Sequence, residues 1–218
     1  TGVDVPNSLL LSTKQKKQIT VKGINGIKWN SSNSSVVSVS KNGTIYAKKT
    51  GNAVLIGTLG DLQLGCAVSV VTPARKRTVQ KAIQIAKTCT YSQPKRMQEK
   101  FYDCSSLVWK SYHKNGVNFG MAYYAPVAAD MGKWCAQHKK LVSGGLSQAN
   151  IQNMKLNPGD VMFETGQKNG RYKGIYHVEM ITGYIFYGFD GNGKAELGIQ
   201  WATGDEKYYP MGQMVGRP

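Results

Sequence analysis

The stretch Thr72-Pro73-Ala74-Arg75-Lys76-Arg77 separates two different sequence patterns. Before it, short β-rich runs alternate with polar turns, and after it apolar residues recur at helical spacing. Pro73 ends the last strand, and the three basic residues predict a solvated connector. The sequence therefore predicts an all-β domain over residues 1–72, a basic linker over residues 73–77 and a second domain over residues 78–218.

The N-terminal part has the pattern of a small β-sandwich. Its predicted strands are Gln18 to Val21, Val36 to Val39, Thr44 to Ala47, Ala53 to Leu59 and Leu62 to Val71. Asn42-Gly43 predicts a type I′ hairpin turn, which needs residues that tolerate positive φ, and Gly60-Asp61 predicts a second turn. The residues expected in the core between two sheets are Trp29, Val37, Val39 and Ile45.

In the second part, helices precede strands. Helices are predicted from Thr78, from about Asp103 to Lys114 and from about Pro126 to His138, and strands over Val161 to Glu164, His177 to Tyr184 and Leu197 to Thr203. Thr78 is the expected N-cap of the first helix. This order predicts an α+β layout.

The composition favours a folded protein, because 41% of the 218 residues are hydrophobic and 18% are charged. No run approaches the roughly 18 apolar residues of a membrane span, and residues 1 to 20 lack the pattern of a signal peptide. Because the chain begins at Thr1, we expect that an upstream segment was removed.

The chain is strongly basic, with 28 Lys and Arg against 12 Asp and Glu and a net charge of +16. Such a charge predicts a polyanionic partner. It is spread over both parts, without the stripe or the reading motif that is typical of nucleic-acid binders. The charge therefore leaves an anionic lipid or an anionic cell wall as the plausible partner, and we expect no nucleic acid.

Cys104 is the candidate nucleophile among the four cysteines. No pair has the spacing Cys-x-x-Cys, and four cysteines in a chain of this length do not make a disulfide scaffold. Cys104 follows Asp103, a good N-cap residue, at a predicted helix start, where the helix dipole favours a thiolate. A buried structural cysteine is the alternative interpretation of the position.

His177 is the candidate base, because a cysteine nucleophile needs a group that takes its proton and later protonates the leaving amine. His113 lies nine residues after Cys104, on the opposite face of the same helix. His138 and Cys135 lack the second ligand pair of a metal site, so no metal is expected. His177 opens an apolar strand, and a strand edge facing a helix N-terminus is a workable Cys/His geometry.

Three blocks of the second part resemble the landmark blocks of the NlpC-type cell-wall cysteine peptidases. They are Asp103-Cys104-Ser105-Ser106-Leu107-Val108, Leu156-Asn157-Pro158-Gly159-Asp160-Val161-Met162-Phe163 and His177-Val178-Glu179-Met180-Ile181-Thr182-Gly183. The resemblance covers roughly residues 78 to 210 and implies a papain-like catalytic domain, with N-terminal helices packed on an antiparallel sheet. It implies that Cys104 attacks an amide carbonyl, that His177 is base and then acid, and that no cofactor is required.

The resemblance also implies a third polar residue that orients His177. The family's position for it falls on Trp201, whose ring nitrogen cannot accept the imidazole N–H. Gln200 can accept it through the amide oxygen, although strand alternation points Gln200 the other way unless a bulge intervenes. Gln200 is therefore the predicted third catalytic residue, and Glu179, on the strand face of His177, is the alternative.

Substrate contacts are implied in the same way. The family's Tyr-x-Trp-Gly-Gly segment is replaced here by Tyr91-Ser92-Gln93-Pro94, in which Tyr91 keeps the role of the tyrosine that contacts substrate. Asp103 and Ser105 are expected to hold the polar end of a peptide, although helix capping alone explains Asp103. Trp201 is also predicted to contact substrate.

The first part resembles the bacterial Ig-like group 2 domains. The residues that carry this resemblance are Trp29-Asn30-Ser31-Ser32-Asn33-Ser34-Ser35-Val36-Val37-Ser38-Val39, Asn42-Gly43-Thr44-Ile45-Tyr46-Ala47 and Gly51-Asn52-Ala53-Val54-Leu55-Ile56. Such domains are found in secreted and surface proteins. The resemblance therefore implies an accessory or spacer role.

Together the resemblances imply a secreted bacterial enzyme that cleaves an amide in the stem peptide of peptidoglycan, most often beside D-glutamate, through an acyl-enzyme on Cys104. The alternatives are an N-acetylmuramoyl-L-alanine amidase, another amide hydrolase or transferase, and a wall-binding protein whose catalytic site has decayed. The expected partners are the stem peptide and an anionic cell wall, and the expected state is a monomer.

Overall fold

The chain as far as Val71 folds as strands, as its alternating pattern predicts. The computed structural model describes residues 5–19, 21, 23–204 and 207–218. The strands in this part are β1 Ser8–Ser12, β2 Lys16–Gln18, β3 Lys28–Ser31, β4 Val37–Val39, β5 Thr44–Ala47, β6 Gly51–Leu59 and β7 Leu62–Val71. They form one sheet in the order β1-β7-β6-β3, with β1 parallel to β7, and a second in the order β2-β5-β4. The predicted strand over Gln18 to Val21 includes Thr20, which lies outside the described residues.

Residues from both sheets share one hydrophobic core. Ile45 of β5, Leu55 of β6 and Val68 of β7 are fully buried in it. Of the residues predicted for this core, Val37 and Ile45 are buried, and Trp29 and Val39 pack against it while partly buried. Full burial of one such aliphatic side chain stabilises the fold by about 1.5–3 kcal/mol.

The two predicted turns differ in their outcome. Gly60-Asp61 links β6 to β7, with Leu59 paired to Leu62 and a φ of 55° at Gly60, so this turn is confirmed. The type I′ turn at Asn42-Gly43 is wrong. In this loop Gly43 has positive φ and Asn42 does not, and the Gly43 N–H donates to the Ser40 carbonyl at 2.9 Å. The connection is therefore four residues long, and glycine alone takes the left-handed conformation.

The helices of the described residues are α1 Pro73–Thr88, α2 Cys104–His113, α3 Ala128–Gln137 and α4 Gln148–Gln152, with a 3₁₀ helix at Tyr172–Gly174. The predicted helices near 103–114 and 126–138 correspond to α2 and α3. The short helix α4 was not predicted.

Helix α1 begins before its predicted start, so the predicted linker over residues 73–77 is wrong. The Thr72 hydroxyl accepts from the Arg75 N–H at 3.2 Å, and the Thr72 carbonyl accepts from the Lys76 N–H at 2.9 Å. Pro73 occupies the first helical position, where a missing N–H costs nothing. Thr78, the predicted N-cap, is instead buried inside the helix, and its hydroxyl accepts from Asn115 Nδ2 at 2.7 Å.

The remaining strands complete an α+β arrangement, as predicted. They are β8 Thr90–Tyr91, β9 Phe101–Tyr102, β10 Val161–Thr165, β11 Ile175–Phe189, β12 Ala195–Trp201 and β13 Met214–Gly216. Strands β8 and β9 pair in parallel. The other four form a sheet in the order β12-β11-β10-β13, in which β10 is antiparallel to β11 and to β13.

The chain divides into two compact units. The first contains the chain up to Lys76 together with Ile151–Asn157 and Gly183–Ile199. The second contains Arg77–Asn150, Pro158–Thr182 and Gln200–Pro218. The structure thus differs from the predicted division in two segments, 151–157 and 183–199, which the sequence assigned to the domain over residues 78–218.

Candidate active site

Asp103 fixes the N-terminus of α2. Its carboxylate accepts from the Ser106 N–H at 2.7 Å, and the Ser106 hydroxyl accepts from the Asp103 N–H at 2.8 Å. This reciprocal arrangement is a capping box, and loss of such a cap typically costs about 0.5–2 kcal/mol. Asp103 is therefore the N-cap and Cys104 the first residue of the helix, as predicted.

Arg96 pairs with the capping carboxylate. Its Nη1 lies 2.9 Å from Asp103 Oδ2 and donates to Ser105 Oγ at 2.8 Å, and its Nη2 donates to the Ala125 carbonyl. Arg96 is 8% exposed and Asp103 is 5% exposed. Burial acts to raise the pKa of Asp103, but the Ser106 N–H and Arg96 outweigh it and lower that pKa. Asp103 is therefore a charged carboxylate inside the fold.

These contacts bear on the substrate role predicted for Asp103 and Ser105. Both side chains are buried, and the Ser105 hydroxyl also donates to Asp103 Oδ1 at 3.2 Å. Little of their surface is left for a ligand. The structure thus favours a positioning role, in which they hold the start of α2, over the predicted contact with substrate.

The Cys104 sulfur lies beside β11. The N–H groups of Val178 and Ser105 and the Tyr91 hydroxyl lie near enough to act against the rise of its pKa. Val178 directly follows His177 in β11, so the start of α2 lies near the start of this strand. Pairing of Cys104 with His177 stays a prediction.

Burial governs the ionisation of Cys104. It raises the pKa of Cys104 above its ordinary value and the charge of Asp103 adds to this, whereas the N–H groups of Val178 and Ser105 and the Tyr91 hydroxyl offset it only in part. The N–H at the start of α2 thus acts in the predicted direction, toward a thiolate, but burial outweighs it and the resting side chain is a thiol at neutral pH.

His177 is held by Tyr209. Its Nε2 lies 3.2 Å from the Tyr209 hydroxyl oxygen, and the two rings stack with centroids 5.9 Å apart. Burial lowers the pKa of His177 below its ordinary value, although Glu164, opposite it in β10, acts to raise that pKa. His177 is therefore neutral at neutral pH and able to accept a proton.

Tyr209 connects His177 to the buried carboxylate of Glu179. The Tyr209 hydroxyl donates to Glu179 Oε2 at 3.4 Å, and Thr203 Oγ1 donates to the same oxygen at 2.5 Å. Glu179 is 2% exposed, and burial raises its pKa. Burial and the charge of Glu179 also raise the pKa of Tyr209, so its hydroxyl keeps its proton. The Tyr209 oxygen can therefore accept from His177 while its proton is donated to Glu179.

Trp201 and Gln200 lie at the end of β12. Trp201 is buried and packs edge-on against Tyr209, with ring centroids 4.8 Å apart. Both residues line a cavity of about 230 Å³ that also includes Thr182 and Thr203. Trp201 thus lies beside the residue that bonds His177. The role of Gln200 as the third catalytic residue stays a prediction, as does the contact of Trp201 with substrate.

Tyr91, which is predicted to contact substrate, lies beside the candidate nucleophile Cys104. Half of its side chain is exposed, and its ring packs edge-on against Tyr102 with centroids 5.5 Å apart. Since its hydroxyl lies near the Cys104 sulfur, a ligand at that sulfur would also meet Tyr91. The substrate role of Tyr91 remains a prediction.

The other cysteines and histidines lie outside this site. All four cysteines are free, and Cys66 and Cys135 are buried, where burial raises the pKa of each thiol to about 12. His113 and His138 are exposed and stack on tryptophan rings. Among the described residues, no three His, Cys, Asp or Glu side chains are placed to hold a metal ion. In that same part of the chain, no helix has the length and apolar character needed to cross a membrane.

Sequence reasoning missed Tyr209. It follows the last predicted strand, in a segment without helix or strand, and belongs to none of the three blocks that resemble the peptidases. Arg96 was missed for the same reason. Glu179 was named only as an alternative to Gln200.

Comparison with known proteins identifies one part of the chain. Residues 7–70 match the bacterial Ig-like domain (group 2). The two sheets β1-β7-β6-β3 and β2-β5-β4 lie in this range, so the sandwich is an Ig-like domain, as the sequence predicts.

Two solved structures are similar to the chain. One is a GH10 xylanase from termite gut that contains a bacterial Ig-like domain, with 22% identity over 29% of this chain and 18% of the xylanase chain, and a TM-score of 0.28. The other is an intimin mutant of EHEC O157:H7, with 13% identity over 62% of this chain and 73% of that chain, and a TM-score of 0.26. No curated protein matches the chain.

Proposed function

We propose that this protein is a secreted bacterial cysteine peptidase, in which a papain-like catalytic domain follows the Ig-like domain, and that it cleaves an amide in the stem peptide of peptidoglycan. The observation that carries the proposal is the meeting of α2 with β11. Cys104 is the first residue of α2, and the N–H of Val178, the residue after His177, lies near enough to the sulfur to act against the rise in the pKa of Cys104. The hydrogen bond between His177 and Tyr209 supports it further.

Proton transfer begins the proposed reaction, because the thiol and the imidazole are both neutral at rest. His177, with Nε2 bonded to Tyr209, accepts the Cys104 proton on its other nitrogen while the sulfur attacks the amide carbonyl carbon. The imidazolium then donates this proton to the leaving nitrogen, the C–N bond breaks, and a thioester remains on Cys104. Water attacks the thioester, His177 takes its proton and returns it to the sulfur, and the peptide acid is released.

Tyr209 and Glu179 stabilise the imidazolium in this scheme. When His177 becomes charged, its Nε2–H donates to the Tyr209 oxygen, which is polarised because the hydroxyl proton is directed at the Glu179 carboxylate. The pair supplies the orientation and charge stabilisation that an aspartate or asparagine provides in other triads. Tyr209 thereby fills the role that the sequence predicted for Gln200.

The bond beside D-glutamate is the first candidate for the scissile amide, because the resembling family most often cleaves there. An amidase between muramic acid and L-alanine, or another amide hydrolase or transferase, would use the same residues. The net charge of +16 would favour retention on a cell wall that carries phosphate and carboxylate groups. The masses of released fragments distinguish these reactions.

The test is digestion of purified peptidoglycan, read by mass spectrometry. The variants are Cys104→Ala and, as matched control, Cys89→Ala, which removes another partly exposed thiol of the same unit. We expect stem-peptide fragments from the wild type and from Cys89→Ala, and none from Cys104→Ala.

Two results would overturn the proposal. Fragments released by Cys104→Ala at the wild-type rate would remove Cys104 from the reaction. Failure of all three proteins to release fragments from several wall types, while each still binds them, would identify a wall-binding protein without activity.

A further inference from the structure

A groove lined by lysines lies in the second unit. Its volume is about 660 Å³, and Lys81 of α1, Lys110 of α2, Lys100 and Lys114 line it together with one carboxylate, Glu99. We call it the lysine groove. With His113 neutral, these side chains give the groove a net positive charge of three.

Among the described residues, no lysine of the groove forms a salt bridge. In the described ranges the salt bridges are Arg96–Asp103 and Arg217–Asp160, and neither involves the groove. Lys81 Nζ donates to the neutral Gln84 at 3.3 Å. Lys110 Nζ donates to the carbonyls of Gln98 and Phe101 at 2.8 and 2.6 Å.

The ammonium groups of Lys81 and Lys110 repel each other. Burial lowers the pKa of Lys110 and the charge of Lys81 lowers it further, whereas Cys89 and Asp103 act to raise it. Since α1 and α2 both end near the groove, their C-terminal carbonyls add partial negative charge, but each helix end contributes only about half an elementary charge. The lining of the groove therefore stays net positive, and a bound polyanion would add attraction there.

The side chains of the lysine groove favour phosphate over an aromatic ligand. Lysine binds phosphate as a compact point charge. Trp109 is 7% exposed, its indole N–H donates to the Met121 carbonyl at 2.9 Å, and its ring stacks on His113 with centroids 4.1 Å apart. Trp109 therefore offers no open face on which a nucleic-acid base could stack, and one face of the His113 ring is already covered by Trp109.

We propose that the lysine groove binds a phosphodiester polymer without bases, with Lys81, Lys100 and Lys114 placed against successive phosphates. This inference goes beyond the proposed peptidase activity and does not depend on Cys104. The net charge alone predicts only a general attraction to polyanions, whereas this proposal assigns the binding to the lysine groove.

The experiment measures the affinity of the full chain for poly(glycerol phosphate), in a Cys104→Ala background. The test variant is Lys100→Gln with Lys114→Gln, which removes two exposed charges of the groove. The control is Lys133→Gln with Lys168→Gln, which removes two exposed charges of the same unit outside the groove. Circular dichroism and thermal unfolding verify that both variants are folded.

We expect the groove variant to bind at least about tenfold more weakly and the control less than about threefold more weakly. The slope of log affinity against log salt should fall in the groove variant by about 0.7–0.9 for each phosphate contact removed. Equal losses in the two variants would overturn the proposal, because binding would then depend on total charge.

A second arm uses single-stranded DNA of similar length. Tighter binding of DNA than of poly(glycerol phosphate), with the same loss in the groove variant, would overturn the proposal and assign the groove to nucleic acid. Restoring Cys104 in the groove variant separates the two proposals. Peptidoglycan stripped of phosphate polymers should then release fragments at the wild-type rate if the peptidase proposal holds, whatever the binding result.

Discussion

Replacement of Tyr209 by phenylalanine isolates the contribution of one hydroxyl group to the proposed reaction. The ring that stacks on His177 and packs edge-on against Trp201 is retained. What is lost is the oxygen that lies 3.2 Å from His177 Nε2 and 3.4 Å from Glu179 Oε2. We expect the rate of amide cleavage to fall by about 5- to 13-fold, because this hydrogen bond strengthens when His177 becomes charged.

The magnitude follows from the change in charge during the reaction. A hydrogen bond between neutral groups contributes about 0.5–1.5 kcal/mol, whereas one to a charged group contributes about 1.5–3 kcal/mol. His177 is neutral at rest and becomes an imidazolium when it takes the Cys104 proton. The bond therefore strengthens by about 1–1.5 kcal/mol during the reaction, and at about 1.36 kcal/mol for each factor of ten its loss slows the reaction by about 5- to 13-fold. Because this energy is gained on the way to the transition state, the loss should be in kcat and not in KM.

The assay compares initial rates of fragment release over a range of peptidoglycan concentrations. Tyr208→Phe is the matched control, because Tyr208 is the adjacent residue, is 82% exposed and should tolerate the change without effect. Gln200→Ala tests the residue that the sequence favoured. Activity of Tyr209→Phe within twofold of wild type, together with a tenfold loss in Gln200→Ala, would refute the reasoning and restore Gln200 as the orienting residue.

Three further predictions concern pH and stability. The rate of cleavage should fall on acidification with a midpoint below 6.5, because burial lowers the pKa of His177 and only neutral imidazole accepts the proton; a pH–rate profile with a midpoint above 6.5 would contradict this. Arg96→Ala should lower the free energy of unfolding by about 3–5 kcal/mol, since it leaves a buried carboxylate without its cation; denaturant unfolding that shows under 1 kcal/mol would disprove it. Gly65→Ala should cost about 1–3 kcal/mol by the same measurement, because a Cβ there would lie 2.3 Å from the Phe186 ring. Gly191→Ala, where the added Cβ meets open space, should change stability by less than about 0.5 kcal/mol.

The strands of the Ig-like domain were predictable where the pattern of apolar residues lies within the strand itself. Strands β5 and β7 have the predicted bounds: buried and more exposed residues alternate in β5, and most of β7 is a buried run rich in apolar residues. Strand β1 was not predicted. It pairs in parallel with β7, more than fifty residues away, and such a contact leaves no local pattern. The turn at Asn42-Gly43 was mistaken because the length of the connection, and not the residue pair alone, selects the turn type.

Pro73 is compatible with two structures at once. It comes just after strand β7, as predicted, and it is also the first residue of helix α1, which Thr72 caps. The sequence pattern did not indicate that the helix follows the strand without a linker. The three basic residues that indicated a connector lie on the first turns of α1.

The candidate site was predictable as far as its residues lie in the three blocks. Asp103, Cys104 and His177 are identified by a helix cap and by the order of the blocks. Tyr209 is 32 residues from His177 and reaches it from a segment without regular structure. No periodicity marks such a residue, so its role follows only from the fold.

Asp103, which caps α2, also opposes ionisation of the Cys104 thiol. The Asp103 carboxylate accepts the Ser106 N–H, and its charge adds to burial in raising the pKa of Cys104. Replacing this carboxylate by a neutral cap would ease ionisation of the thiol but would lose the ion pair with Arg96 that holds the helix start. In the proposed reaction, His177 is neutral at rest, is bonded to Tyr209, and would receive the proton when the sulfur attacks the substrate. That reaction would depend on the base and not on a preformed thiolate, so the Tyr209 hydroxyl should contribute to the rate although Tyr209 lies far from Cys104 in the sequence.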